Sequence, residues 1–307
     1  MSTYVIRRLL QTILVILGVT GISFGAMFLT GDPTMLMIGD TDLLTQEQFE
    51  EFRHRMGFDR PVIVQYLDWL GHAVRGDFGV SLHHGQDNFR LVMERMPATL
   101  QLAFVSLLIS VLVSFPIGIV AAIRRGTWVD TLTMLAALLG QSLPVFWLGI
   151  MFMLIFGVKL RWLPVSGRGT FKHILMPAVS VAVFSIARNA RMVRSSMLEV
   201  LGMDYVRTAR AKGLAETPVI LRHVLRNALI PVVTLIGLSL GHLLGGSVIT
   251  ETIFAWPGVG RLTLQAIGYK DFPLVQASVT ILALTFVLVN LIVDLLYTVI
   301  DPRVRLQ

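Results

Sequence analysis

The sequence predicts an all-α integral membrane protein with six transmembrane helices, and three observations carry that expectation. Hydrophobic residues make up 54% of the 307-residue chain and charged residues only 15%, whereas an average soluble domain is about a quarter charged. The mean hydropathy is +0.73, so a soluble globule of this composition would lack the polar surface to cover itself. Apolar runs able to cross a hydrocarbon core, ~20 residues each, recur at roughly 9–30, 99–123, 129–158, 174–198, 229–250 and 274–300. A soluble enzyme, a disordered chain and a disulfide scaffold are thereby excluded. Cysteine is absent, which removes disulfides and thiolate-ligated metal sites. The net charge of +7 is read as membrane topology rather than nucleic-acid binding.

The first span follows Arg7-Arg8. Its apolar run is too long for a signal-peptide core and no small-residue cleavage site follows it, so it is expected to be retained. Residues 31–98 form the longest segment between spans, with eleven acidic and six basic residues. Apolar residues recur at helical spacing over 46–56 and 62–74. Turn signals stand at Gly57, Asp59-Arg60-Pro61, Gly76-Asp77 and Gly85. The expectation is a small helical domain outside the membrane. Its aromatic residues Phe49, Phe52, Phe58, Tyr66, Trp69 and Phe78 are expected to form its own core.

The third span carries Gly140-Gln141-Ser142-Leu143-Pro144 near its middle. Pro144 cannot donate to the preceding turn, so a kink is expected there. Interrupted helix at membrane depth is tolerated in protein contact or beside water. Gln141, Ser142 and Pro144 are therefore candidates for a solute pathway, with interhelical hydrogen bonding as the alternative. The fourth span loses its uncharged character at Arg188, after which Arg191 and Arg194 follow at i+3 and i+6. These arginines either snorkel to the headgroups or line a wet inner vestibule.

Between the fourth and fifth spans, residues 199–228 are strongly basic. Tyr205 to Lys212 are good helix formers that stop at Gly213, a residue suited to the left-handed position after a helix. Thr217-Pro218 then reads as an N-cap followed by proline at the first helical position. A second helix over 219–227 and a fifth span opened by Pro231 are expected to follow. Two short helices about one bend make a rigid lug for a partner. The fifth span holds Gly237, Gly241 and Gly245 at four-residue spacing, a face for close packing within the bundle or against a second membrane subunit. The sixth holds Asn290, a further pathway candidate, and Asp294. Asp294, His242 and Glu251 are the ionisable groups whose roles are open.

Orientation follows from the short connections. With the N-terminus inside, fourteen basic residues fall on inner segments and six on short outer loops, which places both termini in the cytoplasm. The long 31–98 segment is exempt from that rule. No phosphate-binding loop and no hydrolase or zinc-protease motif occurs. The chain is expected to be non-catalytic, with no metal and no bound cofactor. Uphill transport would need an ATPase on another chain.

The segment Asp204 to Leu214, followed by Arg222-His223 and by Leu225 to Pro231, closely resembles the cytoplasmic loop of ABC importer permeases. So do Gly31-Asp32-Pro33, Gly76-Asp77-Phe78-Gly79, Arg95 to Leu100, Thr250 to Gly260, Asp294 to Tyr297 and Asp301-Pro302-Arg303. The likeness covers essentially the whole chain and points to the dipeptide/oligopeptide/nickel branch, which includes glutathione permeases, and to its B-type membrane subunit. It implies a type I ABC importer transmembrane domain with a helical periplasmic or extracellular insertion after the first span. It further implies a bacterial inner membrane location, a homologous C-type permease, one or two cytoplasmic ABC ATPases that bind ATP and Mg, and an external substrate-binding protein. Nucleic acid has no part in it.

The division implied is an N-terminal helix (1–30), an external segment (31–98), a core (99–300) containing the coupling loop (199–228), and a cytoplasmic tail (301–307). Tyr205, Arg207, Thr208, Ala209, Arg210, Lys212, Gly213 and Leu214 match the coupling helix that seats on the ATPase. The general importer motif has a glutamate where Arg207 stands, so no salt bridge from that glutamate is expected here. The implied solute is a di- or oligopeptide or a related compound, moved by alternating access. The rival reading is a proton-coupled secondary transporter.

Overall fold

A computed structural model describes residues 2–29, 46–55, 57 and 59–300, apart from some side chains within the helices. Helices in chain order are α1 (Ser2–Leu29), α2 (Gln46–Arg55), α3 (Val62–Val74), α4 (Asn88–Ile123), α5 (Trp128–Ser142), α6 (Val145–Phe152), α7 (Phe171–Leu201), α8 (Asp204–Ala211), α9 (Arg226–Ile253), α10 (Val259–Gly268) and α11 (Phe272–Ile300). A π-helical stretch, Met153–Lys159, extends α6. Among the described residues, α4, α7 and the 272–293 part of α11 are long and apolar enough to span a bilayer, and α5 with α6 adds a fourth span if bent. The backbones of α1 and α9 run 28 residues each, or about 42 Å at 1.5 Å per residue.

The chain divides into two compact units, 1–98 with 257–288, and 99–256 with 289–307. In the first, α2 and α3 occupy the two stretches whose periodicity predicts them. Gly57, Gly76 and Gly85 carry positive φ at the expected turns. The aromatic core reaches beyond the 31–98 segment, because Phe24 of α1 joins Tyr66 (5.6 Å between ring centroids) and Trp69 meets Phe78 (6.4 Å). Phe58 and the side chains of Phe49 and Phe52 lie outside the described residues, as do Gly31-Asp32-Pro33 and the 301–307 tail. A short turn over 80–87 is clamped by buried Asp271. Its carboxylate accepts from Ser81 Oγ (2.5 Å) and the His83 N–H (3.2 Å), and caps α11 through the Leu274 N–H (3.3 Å).

In the second unit α7 is the hub, with α5, α6 and α9 packed on it. Small residues make this close approach possible: Ala178, Ala182, Ser185, Ala187 and Ala190 are all buried. A Cβ on Gly118 of α4 would stand 2.7 Å from both the Ala190 carbonyl oxygen and Val193 Cβ.

Three expected boundaries differ. The helix that carries the second span begins at Asn88 rather than 99, because the Asp87 carboxylate accepts from the Arg90 N–H (2.7 Å) and starts the helix there. The kink at Pro144 is a full break of 101° between α5 and the α6 arm. Leu143 is forced extended by the proline ring that follows it, and Pro144 itself is extended. The helix after the basic loop starts at Glu216, not at Pro218. Ala215 is its N-cap and Pro218 its third residue, still in the turn where an N–H has no intrahelical partner. The turn Glu216–Pro218, a π-helical stretch Val219–Leu225 and α9 then follow one another directly. Pro231 consequently lies inside α9 rather than at the start of that helix.

Candidate functional site

The basic loop folds as a capped knuckle. α8 turns for eight residues and stops in a paired cap: the Gly213 N–H donates to the Arg210 carbonyl (2.9 Å) and the Leu214 N–H to that of Ala209 (3.4 Å). This arrangement requires a left-handed residue between them, and Gly213 has φ +79°. The chain then reverses and α8 is tied to the returning turn by Arg210, which donates to both Glu216 oxygens (2.6 and 3.1 Å). Those hydrogen bonds hold the Glu216 carboxyl below the usual glutamate range. Asn227 Nδ2 donates to the Tyr205 hydroxyl (2.9 Å).

The two faces of α8 differ in kind. Val206 and Ala209 are buried in an apolar cluster with Val193, Met197 and Val200 of α7 and with Val219, Val224, Ala228 and Val232 on the returning helix. Tyr205, Arg207, Thr208, Arg210, Lys212, Gly213 and Leu214 are all exposed. The predicted coupling residues thus come together, except that Ala209 points inward and anchors the lug. Arg207, at the position of the missing glutamate, lies 3.6 Å from Asp204 on the surface.

Of the pathway candidates, Gln141 and Ser142 sit at the broken end of α5. Gln141 Oε1 accepts from Arg191 (2.7 Å), whereas exposed Ser142 donates to its own helix at Leu138 O (2.9 Å). Pro144 is exposed, and Asn290 is half-buried on α11. The three arginines of α7 each have a different partner on a neighbouring helix. Arg188 donates to Ser239 Oγ (2.6 Å), Arg191 to Gln141, and Arg194 makes a two-pronged pair with buried Asp130 (2.6 and 2.8 Å). Their regular spacing marks one stripe in the sequence, but the partners, 50 to 64 residues away, are beyond any local pattern.

The glycine face of α9 is divided. A Cβ at Gly237 would collide with Val293 of α11, so this glycine packs within the chain, and Gly241 is buried. Gly245 is exposed, with nothing within 4 Å of a Cβ. Glu251 is fully buried and accepts from Thr99 Oγ1 (2.7 Å). That pair, and the Asn189 to Ser110 bond (3.1 Å), carry no signal in local sequence. The side chains of His242 and Asp294 lie outside the described residues. Among the described residues no group of three or more histidine or acidic side chains is placed to hold a metal ion.

The chain matches the family described as binding-protein-dependent transport system inner membrane component over residues 114–306. Residues 1–103 match the N-terminal component of such membrane proteins. A dipeptide transport system permease protein of Alkalihalophilus pseudofirmus is 38% identical, covering 99% of this chain and all of its own. A di/tripeptide permease of Pseudomonas aeruginosa is 39% identical over the full length of both chains. A glutathione transport system permease of Salmonella typhimurium is 41% identical over 99% of each. Among solved structures, a chain of the inward-facing MetNI methionine ABC transporter superposes with a TM-score of 0.59. It is 20% identical and covers 69% of this chain and 96% of its own. That likeness speaks to the fold alone.

Proposed function

This chain belongs to the inner membrane components of binding-protein-dependent transport systems, and from that premise we propose that it imports di- or oligopeptides or a closely related solute. It is a permease subunit with the type I ABC importer fold. The peptide assignment draws on relatives named as dipeptide, di/tripeptide and oligopeptide permeases at 38–39% identity. The assembly inferred contains a homologous second permease, one or two ATPases holding ATP and Mg on the cytoplasmic side, and an outer substrate-binding protein. Both termini and the knuckle face the cytoplasm in this reading. The rival proton-coupled carrier has no support from the family.

The observation that carries the mechanism is the two-faced α8. Its inner face is locked into the cluster shared with α7 and the start of α9. Its outer face offers an aromatic ring, basic groups and an apolar tip, Leu214. A push on the lug therefore reaches α7 and α9 as rigid-body motion, because a packed core does not deform continuously. The ATPase can drive the permease outward-open only if it contacts the two states differently. The lug is the part of this chain suited to provide that difference.

Reconstitution with the partner subunits and outer receptor tests the reading. Tyr205→Ala and Lys212→Glu lie on the exposed face and should insert normally, while ATPase association weakens tenfold or more and uptake is lost. Wild-type ATPase association in both variants would reject the docking role. An outer receptor that binds no peptide would reject the solute.

A further inference from the structure

Half of the apolar window of α7 is buried, and a line of incompletely covered residues runs along one side. Phe184 and Ser195 are exposed, and Arg188 and Arg191 between them are half-buried. Their spacing of i, i+4, i+7 and i+11 makes this one face of the helix. The helix has 31 residues and is about 46 Å long. Arg188 stands about 26 Å from its first residue, near mid-length.

The charges on this helix are not equivalent. Arg194 is neutralised by Asp130. Among the described residues, Arg188 and Arg191 hold neutral partners, Ser239 and Gln141. No carboxylate pairs with either among the described residues, and the buried Nε of Arg188 has no acceptor. An uncompensated guanidinium at membrane depth does not face lipid at low cost, and such groups mark solute pathways. The guanidinium fork also matches a carboxylate in two-pronged fashion. The two arginines stand one turn apart on one face of α7, and their guanidiniums reach Ser239 of α9 and Gln141 of α5.

We propose that Arg188 and Arg191 form a transient binding site for the free carboxylate of the transported solute, on the wall that α7 contributes to the pathway. The site rests on the import reading and narrows it to solutes bearing a carboxylate. It places recognition inside the permease, after the outer receptor has released its cargo. The Ser239 and Gln141 bonds hold the forks in place while the site is empty.

The test uses the complete transporter in proteoliposomes, with saturating outer receptor and dialanine as the probe. Arg188→Gln and Arg191→Gln should each lower maximal uptake tenfold or more, and Arg188→Lys, which keeps the charge but not the fork, should recover only part of it. Ser239→Ala, which removes one brace and keeps the charge, should lower uptake clearly less than Arg188→Gln does. Uptake at the wild-type rate in both glutamine variants would overturn the proposal. A loss in Ser239→Ala equal to that in Arg188→Gln would overturn it too, since the arginine would then be a brace.

A second measurement does not depend on uptake. Phenylglyoxal modification of Arg191, followed by mass spectrometry on the intact complex, should be slowed by dialanine and not by its C-terminal amide. Equal slowing, or none, rejects the carboxylate site. Wild-type transporter that fails to take up dialanine while protection is still seen would instead count against the peptide import reading.

Discussion

Replacing Gly213 with asparagine, alanine or valine separates backbone conformation from available space. Gly213 sits at φ +79°, and a Cβ there would meet nothing within 4 Å. Any cost therefore arises from the left-handed backbone alone, about 1–2 kcal/mol for a residue with a Cβ. Valine falls at the upper end because its branch crowds that conformation, and asparagine tolerates it best. A loss of ~1–2 kcal/mol lowers the ratio of correctly capped to uncapped knuckle roughly 5- to 30-fold. Uptake and ATPase co-precipitation should both fall in the order asparagine, alanine, valine. The amount of inserted protein should not change, because the spans are untouched. Wild-type behaviour of the valine variant would refute the cap argument. An asparagine variant as poor as valine would refute the conformational reasoning, since the glycine would then be needed for its missing side chain.

Two further outcomes follow from the same physics. Ala255 occupies the equivalent cap position after α9 at φ +51°, with its N–H on Thr252 O (3.2 Å) and that of Trp256 on Glu251 O (2.8 Å); Ala255→Gly should therefore be neutral or raise thermal stability by up to ~1 kcal/mol, and a clear loss would show that the methyl group matters more than the strain. Breaking the partly buried Arg194–Asp130 pair with Asp130→Asn should cost about 1–3 kcal/mol, and the double change Arg194→Met with Asp130→Leu less; equal melting-temperature losses for the purified complex would show that the pair acts through shape rather than charge.

Much of the site was legible along the chain. Helical periodicity places α2 and α3, and a run of helix formers ending at Gly213 places α8 and its cap, because each signal is contained within one or two turns. The 3-residue spacing of Arg188, Arg191 and Arg194 likewise shows that they share a stripe. Their different fates were not legible. Whether an arginine is neutralised depends on what a distant helix brings to it, and Asp130 lies 64 residues from Arg194. Ala209 is a similar case: its place in the coupling motif suggests an exposed contact, yet the packing of α7 turns it inward.

Local chemistry alone specified a polytopic chain with a bent basic lug, since hydropathy, proline and glycine act over a few residues. Packing decided the rest. Pro144 ensures an interruption, but the 101° turn also depends on where α7 and α9 hold the two arms, with Gly140 against Val183 and Gly149 against Phe254. The same close contacts leave one face of α7 only partly covered, with half-buried arginines on it, because burial is a property of neighbours and not of the residue itself.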